Sequence, residues 1–231
     1  NLDTFVVGIS GGIDSAVVST LCAITGIKTY VVIMPIHQKE EETNRGQEHC
    51  EWLKKRYPNV QSVKVDLTST FDHFRSIFPN KVDNKLALAN SRARIRMTSL
   101  YLIAGNSNGI VVGTGNKIED FGVGFFTKYG DGGVDISPIA DLMKSEVFNL
   151  GHELGIVDSI MNAKPTDGLW EDDRTDEDQL GLSYDELEWA MKFNGDVTKL
   201  NLEDQKKIKI YNMHRDKNLH KMKKIPVFKN D

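Results

Sequence analysis

The chain has few of the residues that mark several common classes of protein. Its 231 residues include only two cysteines, Cys22 and Cys50, too few for a disulfide framework or a zinc cluster. No apolar run approaches the roughly 20 residues that a membrane-spanning helix needs. Both cysteines fall in segments with a helical pattern, where we expect buried packing. These absences predict a protein of the reducing cytoplasm with no membrane partner.

Neither sign of charge is in large excess. Lys and Arg total 29 against 33 Asp and Glu, a net charge of −4, which argues against a dedicated nucleic-acid partner. The length suits one large domain, and no internal repeat or low-complexity linker divides it. We therefore expect a single domain over residues 1–231, with a C-terminal helical extension from about residue 182.

Short apolar runs alternate with longer helical patterns along the chain. The runs at 4–9, 29–34, 60–65 and 110–112 are typical of buried strands. Helical spacing is found at 14–24, 40–56, 85–104, 142–154, 184–193 and 202–218. This alternation predicts an α/β fold, a doubly wound, Rossmann-like parallel sheet of order 3-2-1-4-5 with helices on both faces. Residues 114–135 are glycine-rich and aperiodic, so we expect a functional loop there.

The first motif, Gly8-Ile9-Ser10-Gly11-Gly12-Ile13-Asp14-Ser15, joins the first strand to the first helix. Glycines let the backbone approach an anion, and the amides at a helix N-terminus favour phosphate oxygens. Asp14 would repel a phosphate unless a cation lay between them, which points to Mg²⁺. The alternative is an ordinary tight turn, with Asp14 as a helix-start residue.

The elements Ser10-Gly11-Gly12 and Asp14-Ser15 after a first strand resemble the loop of the ATP pyrophosphatase superfamily. The resemblance implies cleavage of ATP between its α- and β-phosphates and transfer of AMP to a substrate oxygen. Candidate activities include those of NAD, GMP, asparagine and argininosuccinate synthetases and of the tRNA-thiolating enzymes.

A second motif, Gly113-Thr114-Gly115-Asn116-Lys117-Ile118-Glu119, follows the fourth strand. In the predicted order, strands 1 and 4 are neighbours whose loops diverge at the switch point. We therefore expect Glu119 to meet Asp14 around one metal ion, for which oxygen ligands and phosphates favour Mg²⁺ over zinc. Taken alone, Glu119 is better explained as a solvated loop acid.

A third motif, Phe125-Phe126-Thr127-Lys128-Tyr129-Gly130-Asp131-Gly132-Gly133-Val134-Asp135, is unusually rich in functional side chains. Aromatic faces can stack on a base or pyridine ring, Lys128 can hold a phosphate, and Asp135 can accept hydrogen bonds from ribose hydroxyls. The alternative is a surface loop anchored by its aromatic residues.

With this third motif, the resemblance narrows to the ammonia-dependent NAD synthetases. Further matching positions are Ala93-Arg94-Ile95-Arg96-Met97, Lys144, Lys164-Pro165-Thr166, Asp176-Glu177-Asp178-Gln179-Leu180-Gly181 and His220-Lys221. The chain differs from the family pattern in two places. One extra residue lies between Glu119 and Phe125, and Gly115-Asn116 replaces a more usual Asp-His or Asp-Asn pair.

The resemblance implies a role for each matched residue. ATP binds to Gly8, Ile9, Ser10, Gly11, Gly12, Ile13, Asp14, Ser15, Thr114, Lys144 and Thr166. Mg²⁺ binds to Asp14 and Glu119, which with Lys144 form the catalytic group. Deamido-NAD binds to Arg94, Lys128, Asp135, His220 and Lys221. A homodimer is also implied, in which two subunits jointly build the deamido-NAD site.

The expected reaction is the ATP- and Mg²⁺-dependent amidation of deamido-NAD to NAD, the last step of NAD biosynthesis. Neither cysteine has a triad around it and no glutaminase domain is visible, so we expect ammonia to be the nitrogen donor. Two other functions remain open at this point. One is another amide- or thio-forming ATP pyrophosphatase, such as a tRNA-thiolating enzyme, and the other is a nucleotide-binding regulatory module without turnover.

Overall fold

A parallel β-sheet forms the centre of the protein. The computed structural model describes residues 2–79, 82–166 and 175–230. The strands are β1 (Thr4–Gly8), β2 (Lys28–Ile33), β3 (Val60–Lys64) and β4 (Gly109–Val112). All pairs are parallel and the order is β3-β2-β1-β4. The predicted fold class is thus confirmed, with β1 and β4 side by side.

The predicted fifth strand is wrong for the described residues, since the sheet has four strands. Among the described residues after β4, one isolated parallel bridge joins Val112 to Ile136. Gly113 donates its amide to the Ile136 carbonyl at 2.8 Å, but pairing stops there. Pro138 has no backbone N–H, so it cannot extend a ladder beyond this bridge.

Helices cover both faces of the sheet. They are α1 (Ile13–Ile24), α2 (Glu40–Arg56), α3 (Thr68–Ser76), α4 (Lys85–Asn106), α5 (Lys144–Leu154), α6 (Asp158–Met161), α7 (Asp176–Leu180), α8 (Tyr184–Lys192) and α9 (Leu202–Met222). Alternate strand residues point to opposite faces. Val7 therefore packs in one core cluster with α1, α2 and α5, while Val6 packs in another with α3 and α4.

A π-helix, Lys117–Val123, occupies part of the segment predicted to be an aperiodic loop. Asn116 caps it by accepting the Glu119 amide at 3.0 Å, and Gly124 ends it with a φ of 69°. A π-helix has a wider turn than an α-helix and frequently occurs at functional sites. The residues between Glu119 and Phe125, where the chain has one residue more than the family pattern, include the last four of this π-helix.

Helices α8 and α9 pack against the π-helix through a third apolar cluster that includes Ile118, Val123, Leu187 and Ile208. The predicted helical extension therefore supports the segment that carries Glu119. Residues 167–174, between the matched positions Thr166 and Asp176, lie outside the described residues. Among the described helices, none combines the length and apolar composition that crossing a membrane requires.

The two cysteines are buried in helices, as predicted, Cys22 in α1 and Cys50 in α2. Burial raises the pKa of the Cys22 thiol to about 12 and that of Cys50 to about 11. Both thiols therefore stay protonated near neutral pH and act as small apolar side chains.

Candidate active site

The loop between β1 and α1 is shaped by glycines. Gly11 has a φ of +86°, and a Cβ added there would lie 2.5 Å from the Glu42 carbonyl oxygen. Only glycine is therefore accommodated at this position without strain. Gly12 begins α1 without a side-chain cap, which leaves the first amides of the helix for an anion.

Two hydroxyls brace the same loop. The Ser10 and Ser15 Oγ atoms lie 3.1 Å apart, and the Ser15 hydroxyl donates to the Gly12 carbonyl at 3.0 Å. The Gly12 amide in turn donates to Ser10 Oγ at 3.2 Å. These bonds hold the predicted ATP-binding segment in one conformation.

Lys144 joins the two predicted metal-binding carboxylates. Its Nζ donates to Asp14 Oδ2 at 2.6 Å and to Glu119 Oε1 at 2.8 Å. Its side chain is 3% exposed, and those of Asp14 and Glu119 are 18% and 15% exposed. The three residues predicted as the catalytic group thus meet at the carboxyl edge of the sheet, although Asp14 lies more than 100 positions before the other two in the chain.

Burial and the charges of neighbouring side chains shift the pKa values of the three residues in this cluster. Burial lowers the pKa of Lys144, but Asp14 and Glu119 outweigh that effect and raise it, so Lys144 stays cationic. For Glu119, Lys144 outweighs burial and the pKa is lowered. For Asp14, burial and the Glu119 charge outweigh Lys144 and the pKa is raised. With both acids ionised, the three side chains carry a net charge of −1.

Two further residues that we did not predict complete the cluster. The Asn116 side chain, fully buried, donates to Asp14 Oδ1 at 3.0 Å. The Tyr184 hydroxyl donates to Glu119 Oε1 at 2.5 Å and lies 3.3 Å from Asp176 Oδ2. Burial and the nearby acids raise the pKa of Tyr184, so its hydroxyl remains a donor. No local sequence pattern distinguishes either residue from an ordinary helix-start residue.

The donor set fits Mg²⁺ bound together with a nucleotide. In such sites Mg²⁺ uses one or two carboxylates, with substrate phosphates and waters completing its octahedron. Asp14 and Glu119 converge on a single cation, Lys144 Nζ, and provide only oxygen ligands. Within the described ranges, no group of three or more His, Cys, Asp or Glu side chains could hold a metal by itself. Phosphates of a bound nucleotide and waters would supply the remaining ligands.

A cleft of about 210 Å³ opens beside this cluster. It is lined by Gly113, Gly115, Asp120, Phe121, Phe126, Lys128, Tyr129, Asp131, Gly132, Val134, Ser137, Lys221 and Met222. Two cations, two acids and aromatic faces therefore share one opening. The lining includes most of the loop that we predicted to contact the substrate.

Asp120 occupies space that a side chain at position 115 would need. A Cβ added to Gly115 would lie 1.9 Å from Asp120 Oδ2. Burial raises the pKa of Asp120 well above its usual value, and the charges of Asp131, Glu119 and Asp14 raise it further. We did not predict this contact, although Gly115 was noted as a departure from the family pattern.

Four of the predicted substrate-binding residues lie together. Arg94 Nε donates to the Lys128 carbonyl at 3.2 Å, and Lys128 Nζ donates to the His220 carbonyl at 3.1 Å. Lys221 Nζ donates to the carbonyls of Gly124 and Phe126 at 2.9 and 2.7 Å. The C-terminal end of α9 is thereby attached to the loop that follows the π-helix.

The other predicted residues are placed differently. Asp135 lies outside this group, because its carboxylate accepts the Val111 amide at 2.8 Å and the Tyr101 hydroxyl at 3.0 Å. Thr114 stands between two glycines that line the cleft. Thr166 is exposed and is the last described residue before the gap at 167–174.

Three comparisons with known proteins relate the chain to one family. A family model described as NAD synthase matches residues 1–225. The NH(3)-dependent NAD(+) synthetases of Mesoplasma florum and Finegoldia magna are 40% identical over 191 residues and 39% identical over 209 residues. These matches cover 81% and 89% of this chain, and 75% and 83% of those proteins.

Solved structures of related synthetases are also similar to this chain. The structure of NMN synthetase from Francisella tularensis has a TM-score of 0.87 and 32% identity, covering all of this chain and 90% of that one. The NH3-dependent NAD synthetase from Campylobacter jejuni has a TM-score of 0.75 and 27% identity, covering 99% of this chain and 90% of that one.

Proposed function

The chain belongs to the NAD synthase family, and on that premise we propose that it is an ammonia-dependent ligase that amidates deamido-NAD to NAD. The reaction also releases AMP and pyrophosphate. Family membership confirms the resemblance indicated by the motifs and the predicted enzyme class. The tRNA-thiolating enzyme and the regulatory module lose their support, since the chain matches synthetases along almost its whole length.

The single observation that carries this proposal is the meeting of Asp14 and Glu119 at Lys144 Nζ, with distances of 2.6 and 2.8 Å. Helix α1, which carries Asp14 in its first turn, has no side-chain cap, and its first amides are suited to phosphate. A Mg²⁺ ion held by Asp14 and Glu119 would supply charge neutralisation on the phosphates of ATP. Lys144 adds a second positive charge at the same place.

In the first step, the carboxylate of the nicotinic acid moiety attacks the α-phosphorus of ATP, and pyrophosphate leaves. The amides at the start of α1 and Lys144 stabilise the charge that develops on the departing pyrophosphate. The braced loop fixes the nucleotide, so orientation provides much of the rate. None of these roles needs a covalent bond to the protein.

In the second step, ammonia attacks the acyl-adenylate, the amide forms and AMP leaves. We assign the cleft beside the cluster to the nicotinic acid end of the substrate. Phe126 and Tyr129 offer aromatic faces there, and Lys128 and Lys221 offer positive charge to phosphates. Arg94 and His220 adjoin this group through Lys128.

We keep Thr114 and Thr166 as ATP-binding residues and Asp135 as a deamido-NAD-binding residue in the proposal. Two hydrogen bonds within the chain already engage the Asp135 carboxylate. A carboxylate has about four acceptor positions, so two remain for ribose hydroxyls.

The Francisella relative supports a second candidate substrate, the mononucleotide acid that would give NMN. The cleft of about 210 Å³ is smaller than the roughly 300 Å³ at which pockets begin to enclose a typical small ligand. A dinucleotide must therefore extend beyond this cleft, whereas a smaller part of a mononucleotide would lie outside it.

One assay separates these candidates. The purified chain is incubated with ATP, Mg²⁺ and ammonium, together with either deamido-NAD or nicotinic acid mononucleotide, and AMP and the amide are quantified. The proposal expects NAD with deamido-NAD, at a higher kcat/KM than NMN with the mononucleotide. A higher kcat/KM with the mononucleotide favours the second candidate substrate. If neither acid is converted to its amide, both candidates are rejected.

We further propose a homodimer, a single domain and a cytoplasmic location. Large apolar side chains remain exposed on α4, with Leu86 56% and Leu102 74% exposed, as is common at protein interfaces. A second copy would also enlarge the site for a dinucleotide. Light scattering measures the mass of the chain in solution, and a fully active monomer contradicts the dimer.

A further inference from the structure

Tyr184 contacts the predicted metal site from a helix far along the chain. Its hydroxyl donates to Glu119 Oε1 at 2.5 Å, a length typical of a strong O–H···O⁻ bond. Its ring lies below Lys144, with 5.1 Å from Nζ to the ring centroid. From this geometry we infer that Tyr184 is a positioning residue that holds Glu119 for the metal ion. The inference rests on the proposed function and adds a residue to it.

The two donors on Glu119 Oε1 differ in charge. Lys144 is a cation, so an entering divalent ion repels it from the carboxylates. The Tyr184 hydroxyl is neutral and is not repelled in this way. It holds the carboxylate in place while leaving its negative charge available to the metal.

Packing restricts the Tyr184 ring. It is 9% exposed and belongs to the apolar cluster that joins α8 to the π-helix. Its backbone amide donates to Glu177 Oε1 at 2.8 Å, which fixes the start of α8. The hydroxyl therefore has little freedom, and its direction is set by the fold before any ligand binds. Partners of this kind orient metal ligands, and their loss typically weakens metal binding about 10- to 100-fold.

The test measures metal affinity rather than turnover. Mn²⁺ replaces Mg²⁺ as the probe, and its dissociation constant is measured by electron paramagnetic resonance with the α,β-methylene analogue of ATP present. The inference expects Tyr184→Phe to weaken Mn²⁺ binding about tenfold or more, since the ring stays and only the hydroxyl is lost. The affinity of the analogue without metal should stay near the wild-type value.

Tyr211→Phe is the matched control, because Tyr211 is buried in the same cluster, at 6% exposure, and loses the same atom. Equal Mn²⁺ affinity in the wild type and Tyr184→Phe overturns the inference, as do equal losses in both variants. If Tyr184→Phe does not fold, Tyr184→Met repeats the test with an apolar side chain. A wild-type chain that binds no Mn²⁺ contradicts the proposed metal site instead.

Discussion

The side-chain amide of Asn116 lies 3.0 Å from Oδ1 of Asp14, although 102 residues separate them in the chain. The same side chain caps the helix that carries Glu119. One buried amide therefore connects the loop after β1 to the loop after β4. The relative position of the two carboxylates depends on this connection as well as on Lys144.

Replacing Asn116 by alanine removes both hydrogen bonds from a fully buried position. We expect Asn116→Ala to lower the free energy of unfolding by about 1–3 kcal/mol, because polar partners lose their bonds. Urea unfolding measures this change, and the affinity for Mg²⁺ with ATP should fall in parallel. Asn212→Ala, at an exposed position on α9, should stay within about 0.5 kcal/mol of the wild type. Equal stability of the two variants contradicts the role of Asn116.

Replacing Asp14 by alanine removes one of the two carboxylates that face Lys144. We expect Asp14→Ala to abolish Mg²⁺-dependent AMP release, a loss of about a hundredfold or more, because charge on the phosphates is no longer balanced. AMP is quantified by chromatography after incubation with both substrates. Asp185→Ala changes an exposed acid at the start of α8 and is the control. Near-normal turnover in Asp14→Ala would remove its metal role.

Gly115 and Asp120 should be energetically coupled, since an added Cβ at Gly115 meets the Asp120 carboxylate. We expect Gly115→Ala to change the free energy of unfolding by different amounts in the wild type and in Asp120→Ala. The difference should be about 1 kcal/mol, which is within the range of coupling energies for residues in contact. A double-mutant cycle by urea unfolding measures this coupling. Gly105→Ala is the control, because a Cβ added there has no neighbour within 4 Å. It should change the stability of the wild type and of Asp120→Ala by the same amount. A coupling of zero between positions 115 and 120 refutes the contact.

The buried side chain of His49 should make the stability of the protein depend on pH. It is fully buried, accepts or donates one bond to Ser19 Oγ at 2.9 Å and stacks on Trp52. Burial lowers its pKa to about 4 from 6.5. Between these two values the unfolded chain binds the proton and the folded chain does not, so stability falls as pH falls through this window. The full loss is about 3 kcal/mol.

The measurement is urea unfolding of the wild type and His49→Gln at several values between pH 7 and pH 4. His49→Gln should be less stable at pH 7 and should lose stability less steeply as the pH falls. His73→Gln removes an exposed histidine from α3 and should keep the wild-type slope. A wild-type slope in His49→Gln shows that other groups cause the acid sensitivity.

Local signals explain why much of the fold was predictable. Helix α2 has the predicted bounds, since three glutamates occupy its first turn and Lys54, Lys55 and Arg56 its last. Each strand end lies within one residue of its prediction. Buried parallel strands are continuous apolar runs, and turn residues on either side mark where these runs stop.

The missed features depend on contacts that are distant in sequence. The π-helix is too short to show an apolar period, and its wide turn follows neither of the two common patterns. Tyr184 matches an ordinary helix start, and only the fold places its hydroxyl on a carboxylate 65 residues earlier. The fifth strand was predicted from the fold type alone, and the chain forms only a single bridge at Ile136, two residues before Pro138.

The position of β1 between β2 and β4 has a consequence for synthesis of the chain. During synthesis, β2 becomes available to pair with one edge of β1 soon after β1 itself. The partner of the other edge, Gly109–Val112, is synthesised about a hundred residues later. At roughly 5–20 residues per second, a ribosome needs on the order of 5–20 seconds to supply that partner. During this interval a strand containing two fully buried valines, Val6 and Val7, exposes an unpaired edge to other nascent chains. Slow translation between β1 and β4 would therefore increase aggregation before the nucleotide site exists.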